Sequence, residues 1–428
     1  MKQNTTYKQT ELGLIPEDWE VKKIDDVLNI FPTASYSRAE QCEDGDVQYL
    51  HYGDIHTKYN FHLKIDKNNL PKISIDKLKN YKTLEIGDLI MADASEDYVG
   101  VGKCVEILEL SEKKAIAGLH TFLLRDKKQN FSLGFKGYMT TSNIVKKQFY
   151  RTAVGTKVYS LSKTSLQNLK IPLPPLPEQK KIADCLSTWD VAIEKQSQLI
   201  NALTDRKKAL MQQLLTGKKR LPGFSGEWKE VKLGDIGEIS SAGVDKNIVE
   251  GEKPIRLLNF LDVYRRDFLY SHEQNHWVTA NDYKIEKCSI KKGDVFFTPS
   301  SEVPNDIAIS AVAMENFDNV VYSYHIVRFR IKEKWDLRYK AYAFKTDEFF
   351  KQAQRICDGS GQRYVISQNN FKNIKIKIPS LEEQTAIAEI LATADRELTL
   401  QKEKLAQLQT QKKGLMQVLL TGKKRLIN

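Results

Sequence analysis

From Pro174 the chain reads PPLPEQKKIADCLSTWDVAIEKQSQLINALTDRKKALMQQLLTGKKRL, ending at Leu221; from Pro379 it reads PSLEEQTAIAEILATADRELTLQKEKLAQLQTQKKGLMQVLLTGKKRL, ending at Leu426. The copies align without a gap: Gln179 falls on Gln384, Asp190 on Asp395, and 214–221 is identical to 419–426. An internal repeat sets the number of units, so it is read before any local signal. Alternating steps of four and three pick out Ile182, Leu186, Trp189, Ile193, Gln196, Ile200, Leu203, Lys207, Leu210 and Leu214. In the second copy they pick out Ile387, Leu391, Ala394, Leu398, Gln401, Leu405, Leu408, Lys412, Leu415 and Leu419. Eight of the ten positions are apolar in each copy, and the exceptions, Gln and Lys, fall at the same two places. A 3.5-residue repeat sustained this long specifies a coiled coil. Ser380 with Glu383 predicts a capping box, and Pro177 suits a first helical turn. Gly217 and Gly422 stand where a C-terminal stop belongs. Each helix should span roughly 39 residues, about 58 Å.

The two helices are expected to pair antiparallel, because that arrangement returns the chain end towards its beginning. In the register where every seam position finds a seam partner, Ile182 faces Leu419, Leu186 faces Leu415 and Ile193 faces Leu408. Leu203 then faces Leu398, Leu210 faces Leu391 and Leu214 faces Ile387. Gln196 opposite Leu405, and Gln401 opposite Ile200, supply polar layers that fix register at some cost in stability. Lys412 is expected against Trp189, with its stem on the ring and its ammonium reaching water or a partner. Lys207 meets Ala394.

A chain of 428 residues is too long for one core, so two or three domains are expected. The net charge of +11 suits an anionic partner, nucleic acid first. The five cysteines are odd in number, scattered and never spaced CxxC, as in a reduced cytoplasmic protein without a zinc cluster. The polar N-terminus and the absence of a long apolar run point to a soluble protein with no membrane partner.

The stretches before each helix share a skeleton. Trp19 pairs with Trp228 and Asp26 with Asp235; LHYGDI (50–55) aligns with LNFLDV (258–263). Gly87-Asp88 matches Gly293-Asp294, each turn feeding a strand that ends at Ser-Glu, and His120 in LHTFLLR matches His325 in YHIVRFR, where alternation argues a half-buried strand. Near the ends lie GTKVYSLSKTSLQNLKIPLP and GSGQRYVISQNNFKNIKIKIP. Short alternating runs with Gly/Asp turns, and helical stretches such as 337–357, predict mixed α/β modules. The residues between skeleton positions differ, as expected of one scaffold reading two ligands. The tryptophans read as packing residues.

In this duplicated order the chain resembles the specificity subunit of type I restriction–modification systems. The PLPPLPEQ and IPSLEEQ entries, the long helices and the paired LLTGKKRL exits carry the match, supported by the Trp entries and Gly-Asp strands. The resemblance implies two α/β target-recognition domains (1–173 and 222–378) separated by conserved helical regions (174–221 and 379–428). The helices would form an antiparallel coiled coil and give the halves a pseudo-twofold axis. It implies that each domain reads half of an asymmetric double-stranded DNA target. The helices would set the spacing and dock methyltransferase subunits, and restriction subunits would join through the complex.

The chain itself is expected to be non-enzymatic. It has no GxxxxGK[ST] phosphate loop and no Asp/Asn-Pro-Pro-Tyr/Phe tetrapeptide. No cofactor is expected on it; S-adenosylmethionine, ATP and Mg belong to the partner subunits. One stretch does match a catalytic pattern: 272–276, HEQNH, fits HExxH, the zinc-protease helix. A third ligand is hard to find, since Asp282 stands where the extended pattern needs His and Pro304 would break the helix presenting Glu302. A zinc hydrolase and a coiled-coil scaffold with protein-binding modules are the alternatives.

DNA contacts need Lys and Arg for phosphates, and Arg, Asn, Gln, Ser or Thr for base edges. Four aromatic-interleaved stretches supply them: Ser35-Tyr36-Ser37-Arg38, Lys58-Tyr59-Asn60, Tyr264-Arg265-Arg266 and Gln362-Arg363-Tyr364. Lys157 and Tyr159 fall opposite Arg363 and Val365, and Gly155, Gly359 and Gly361 would let those loops approach a backbone closely. The Lys-Lys-Arg runs at 218–220 and 423–425 fit either phosphate neutralisation or a helix end.

Overall fold

The computed structural model describes residues 6–66, 70–110, 114–360 and 363–426. Its architecture is the mixed α/β one expected, with two long helices, Leu176–Leu214 and Leu381–Leu419, of 39 residues each. Every seam position named above is buried or half-buried. The chain divides into two compact units, Met1–Ser197 with Lys404–Asn428, and Gln198–Glu403. Each unit therefore holds one module and a segment of both helices.

Within the first unit those helix segments run antiparallel. Glu178 meets Arg425 and, further along, Asp190 meets Lys412. Ile182 and Leu186 share a core with Leu415 and Leu419, as the register predicts. Within the second unit Lys207 pairs with Asp395 and Arg206 with Glu397, while Leu210 and Leu214 share a core with Ile387 and Leu391.

The seam lysines behave differently from expectation. Lys412 is buried, and its ammonium pairs with Asp190 instead of escaping past Trp189 to water. It lies 3.9 Å from the Phe61 ring centroid and 5.1 Å from that of Tyr138, whose hydroxyl donates to the same Asp190. Burial lowers the Lys412 pKa, and Asp190 opposes that shift. Lys207 likewise turns to Asp395, 5.7 Å from the Tyr342 ring, and Tyr342 donates to Asp395. A carboxylate one residue off the seam, met by a module tyrosine, makes burial of the cation tolerable.

The helix starts also differ. Ser380 does cap, accepting from the Glu383 backbone at 3.3 Å, but the Glu383 side chain does not return to close the box. It accepts from Arg220 Nε and Nη2 at 2.7 and 2.8 Å and from the Trp228 indole at 3.0 Å. The first unit repeats this: Glu178 takes Arg425 at 2.7 Å through both nitrogens and Trp19 at 2.9 Å. The arginine of each Lys-Lys-Arg run thus closes a clasp, while Lys218, Lys219, Lys423 and Lys424 stay exposed. The exits turn at Gly217 and Gly422, both at φ +70°, where Lys219 and Lys424 donate back to Gln213 and Val418.

In the first unit Glu20–Lys23 pairs antiparallel with Lys170–Leu173, so the module enters and leaves side by side. Its main sheet runs Leu28–Phe31, Thr121–Asp126, Leu89–Ala92, Cys104–Leu110, Phe61–Ile65, with only the last pair parallel. A second sheet runs Ala115–Ala117, Val47–Leu50, Lys72–Ile73. The second unit repeats both. Lys229–Lys232 pairs with Lys375–Ile378, and the main sheet runs Gly237–Ser240, Val327–Ile331, Val295–Phe297, Ser310–Ala313, Phe268–Leu269. Val320–Tyr322, Lys253–Leu258 and His276–Ala280 form the smaller sheet. The Gly-Asp pairs earn their place here. Gly87 and Gly293 turn at φ +87° and +85°, and the aspartates after them each hold an arginine by two bonds, Asp88 with Arg125 and Asp294 with Arg330. The stretch 337–357 is two helices, Leu337–Ala343 and Asp347–Arg355, the second capped by Thr346.

Two outcomes check this arrangement. Cysteines replacing Leu203 and Leu398 should cross-link readily, whereas a link from 203 to a cysteine at 408 would mean another register. Glu383→Ala leaves Arg220 and the Trp228 indole without their acceptor and should cost about 3 kcal/mol in denaturant unfolding; wild-type stability would show the clasp to be idle.

Candidate nucleic-acid interface

The structure sorts the predicted contact residues into packers and exposed cations. In the first module Tyr36 is a packer: its hydroxyl donates to the Lys77 carbonyl at 3.0 Å and its ring meets Tyr81 edge-on at 6.2 Å. Ser37 begins the short turn Arg38–Glu40 and donates its backbone N–H to Glu40 at 2.8 Å. Ser35 and Arg38 are exposed. Lys58 follows the helix Tyr52–Thr57 and pairs with Asp54 at 3.0 Å; Arg38 approaches the same carboxylate at 3.9 Å. Asn60 lines a cleft of about 350 Å³ with His56, Lys103 and Lys146. Burial lowers the Lys103 pKa.

Lys157 is exposed on a turn, but Tyr159 pairs its strand with Ser95 and packs edge-on against Tyr98, 5.2 Å away. Gly155, at φ +126°, does permit a close approach, but to its own turn: a Cβ there would lie 1.9 Å from the Val158 oxygen. Gly359, at φ +124°, serves the matching turn, its Cβ position 2.1 Å from the Arg363 oxygen. These glycines shape the loops themselves.

In the second module Tyr264 stacks on Phe260, 6.0 Å away, and its hydroxyl donates to Asp306. Arg265 is exposed; Arg266 reaches Asp262 at 3.5 Å and Glu273 at 3.4 Å, in the manner of Lys58 and Asp54. Arg363 is exposed on the strand Arg363–Val365, while Tyr364 packs against the core. Gln362 and Gly361 lie outside the described residues.

The HExxH stretch does not form a helix. Ser271–Glu273 is a short turn, and His276 opens the strand His276–Ala280. His272 meets Tyr270, and His276 Nδ1 lies 3.2 Å from Asn259 Oδ1. The two imidazoles therefore lack the one-turn helical spacing that zinc hydrolysis needs. No His/Cys/Asp/Glu group among the described residues could hold a metal.

Sequence reasoning missed the side chains that these loops surround. In the first module His51, Tyr52, His56 and His120 form a ring cluster, with Tyr52 4.6 Å from His51 and 5.3 Å from His120. Burial first, then Arg38, lowers the His51 pKa. In the second module the Tyr324 and His325 rings lie tilted against each other, centroids 3.9 Å apart. Burial, then Lys246 and Arg363, lowers the His325 pKa, against Asp245. The match of His120 with His325 was visible, but alternation assigned both to a half-buried strand; each instead precedes its strand, Thr121–Asp126 or Val327–Ile331.

No helix among the described residues is long and apolar enough to cross a membrane. A profile of the type I restriction modification DNA specificity domain matches residues 16–205 and again 225–410. The type I restriction enzyme MjaVIII specificity subunit of Methanocaldococcus jannaschii is 25% identical, over 99% of this chain and 96% of its own. Two solved structures share the fold. A chain from the work on complex assembly and conformational transition of the type I R-M system has a TM-score of 0.65 at 17% identity, covering 96% of this chain and 99% of that one. The type I restriction-modification S subunit from M. genitalium has a TM-score of 0.50 at 15% identity, over 98% and 97%. With both modules and most of both long helices inside the matched segments, the chain belongs to the type I restriction–modification DNA specificity family, as a specificity subunit with two target-recognition domains.

Proposed function

We propose that each module reads one half of an asymmetric, interrupted target in double-stranded DNA. We also propose that the long helices set the gap and dock methyltransferase subunits. One observation carries this reading. The two modules repeat the same strand order, yet the loops at matching places differ: TASYSRAE (33–40) against SAGVDKNI (241–248). One scaffold with two sets of loops reads two half-sites, and unequal half-sites make an asymmetric target. The exposed cations Arg38, Lys58, Lys157, Arg265 and Arg363 supply phosphate contacts in this reading, with Ser35 and Asn60 available to bases.

The chain is a non-catalytic recognition subunit in this proposal. Methylation and cleavage, with S-adenosylmethionine, ATP and Mg, belong to partner methyltransferase and restriction subunits in the cytoplasm. The unbroken run of each helix over 39 residues supports the ruler role, since a rigid rod translates length into separation.

Sequencing of methylated DNA from cells expressing the chain with its partners should return an asymmetric bipartite motif; a palindrome would count against the proposal. Replacing 17–173 by another family member's module should change one half-site only. Four residues inserted after Gln196 and after Gln401 add about 6 Å of helix and should lengthen the gap; an unchanged gap with full activity would sink the ruler. Lys157→Ala should weaken binding to all sequences alike and reduce the salt slope by about 1.

A further inference from the structure

We propose that His120 and His325 are specificity-determining residues, each presenting an imidazole nitrogen to a base edge in its own half-site. This rests on the recognition reading above and assigns the base-reading groups within it.

The two histidines occupy one structural position. Beside His120, the Asp93 carbonyl accepts from Leu161 at 2.8 Å; in the second module the Pro299 carbonyl accepts from Ile366 at 2.8 Å. Positions 93 and 299 are therefore equivalent, each at the end of the strand next to its histidine's strand. Around each histidine converge loops that carry the exposed cations. His120 meets Tyr52 of the helix leading to Lys58, and lies within electrostatic reach of His51, which also feels Arg38. His325 lies near Lys246, from one loop, and Arg363, from the turn matching that of Lys157. Elements that carry candidate phosphate contacts thus lie beside each histidine, a side chain that can donate and accept.

His120 is held in a way that packing does not require. Its φ is +54°, a left-handed value that costs a non-glycine residue energy and persists where surrounding structure enforces it. Its carbonyl accepts from Asp93 N at 3.0 Å, and its Nδ1 lies 3.2 Å from Asp93 Oδ1. The side chain is 52% exposed, so the strain does not bury the ring. An ionised carboxylate accepts only, so in the neutral imidazole Nδ1 carries the proton and Nε2 is the acceptor. Nε2 makes no hydrogen bond among the described residues. Such an acceptor in the major groove suits the exocyclic amine of adenine or cytosine.

The second module uses the position differently. Pro299 replaces Asp93, so no carboxylate orients the ring from there; the Tyr324 ring lies tilted against it instead, centroids 3.9 Å apart. With its pKa held below the ordinary value of about 6.5, His325 reads in its neutral form at pH 7. The charged groups facing it are Lys246, Arg363 and Asp245. Its base preference should persist at and above neutrality and fall away only on acidification below about 6.5.

The test selects duplexes from a randomised pool with the full chain assembled with its methyltransferase subunits. His120→Ala should relax one base position in one half-site, by roughly tenfold to a hundredfold in preference, with the other half-site and the gap intact. His325→Ala should do the same in the other half. Asp93→Ala should partly relax the same position as His120→Ala and no other, as a positioning residue would. The untouched half-site serves as the folding control. Unchanged preferences at every position, or equal weakening across all sequences, would overturn the assignment while leaving the recognition reading standing. A wild-type chain without any sequence preference would overturn both.

Discussion

Glu178 and Glu383 are carboxylates buried at the starts of the two long helices, and each is satisfied by residues far away in sequence. The indole of the module's entry tryptophan and the fork of an exit arginine converge on each of them. A carboxylate taken out of water is tolerable only when its lone pairs are filled, and both arginine nitrogens and an indole N–H fill them here. The helix N-terminus adds favourable positive potential. One charge therefore fixes three things at once: where the module begins, where the helix begins, and where the opposing helix ends. The burial of the seam lysines by Asp190 and Asp395 follows the same logic a few turns further on.

The helices were legible because their signal is redundant: ten seam positions in each copy agree, and all of them are buried or half-buried. The Gly-Asp turns were legible because a left-handed turn and an oriented carboxylate each demand one residue type. The clasp was visible only as conserved spelling between the copies. Glu383 three residues after Ser380 looks like a capping box, and nothing local reveals that Arg220 takes its side chain away. Lys412 was misplaced for a related reason. A heptad argument places residues on a seam but is blind to Phe61 and Tyr138, which the module brings to the same spot.

The candidate interface was legible in outline and not in detail. The aromatic-interleaved basic stretches lie on loops, helix ends and short strands, where Tyr36, Tyr159 and Tyr364 pack and leave Arg38, Lys157 and Arg363 exposed. An aromatic beside a charge reads the same whether the ring packs inward or stacks on a base. The pairing of His120 with His325 was visible, but what holds His120 was not: Asp93 lies 27 residues away, and sequence does not display a backbone angle.

The division of the chain bears on the order in which it can mature. The second unit is continuous, 198–403, whereas the first is interrupted and needs the segment that follows residue 403. Asp18 and Arg425 bond across 407 positions, and Arg425 is also the cation for Glu178. During synthesis the first module lacks the counter-charge of a buried carboxylate until residue 425 is made, whereas every residue of the second unit is present by 403. Non-local closure of this kind is slow and leaves surface open in the interim. A chain stopped short of Arg425 therefore carries its defect in its first unit, far in sequence from the break.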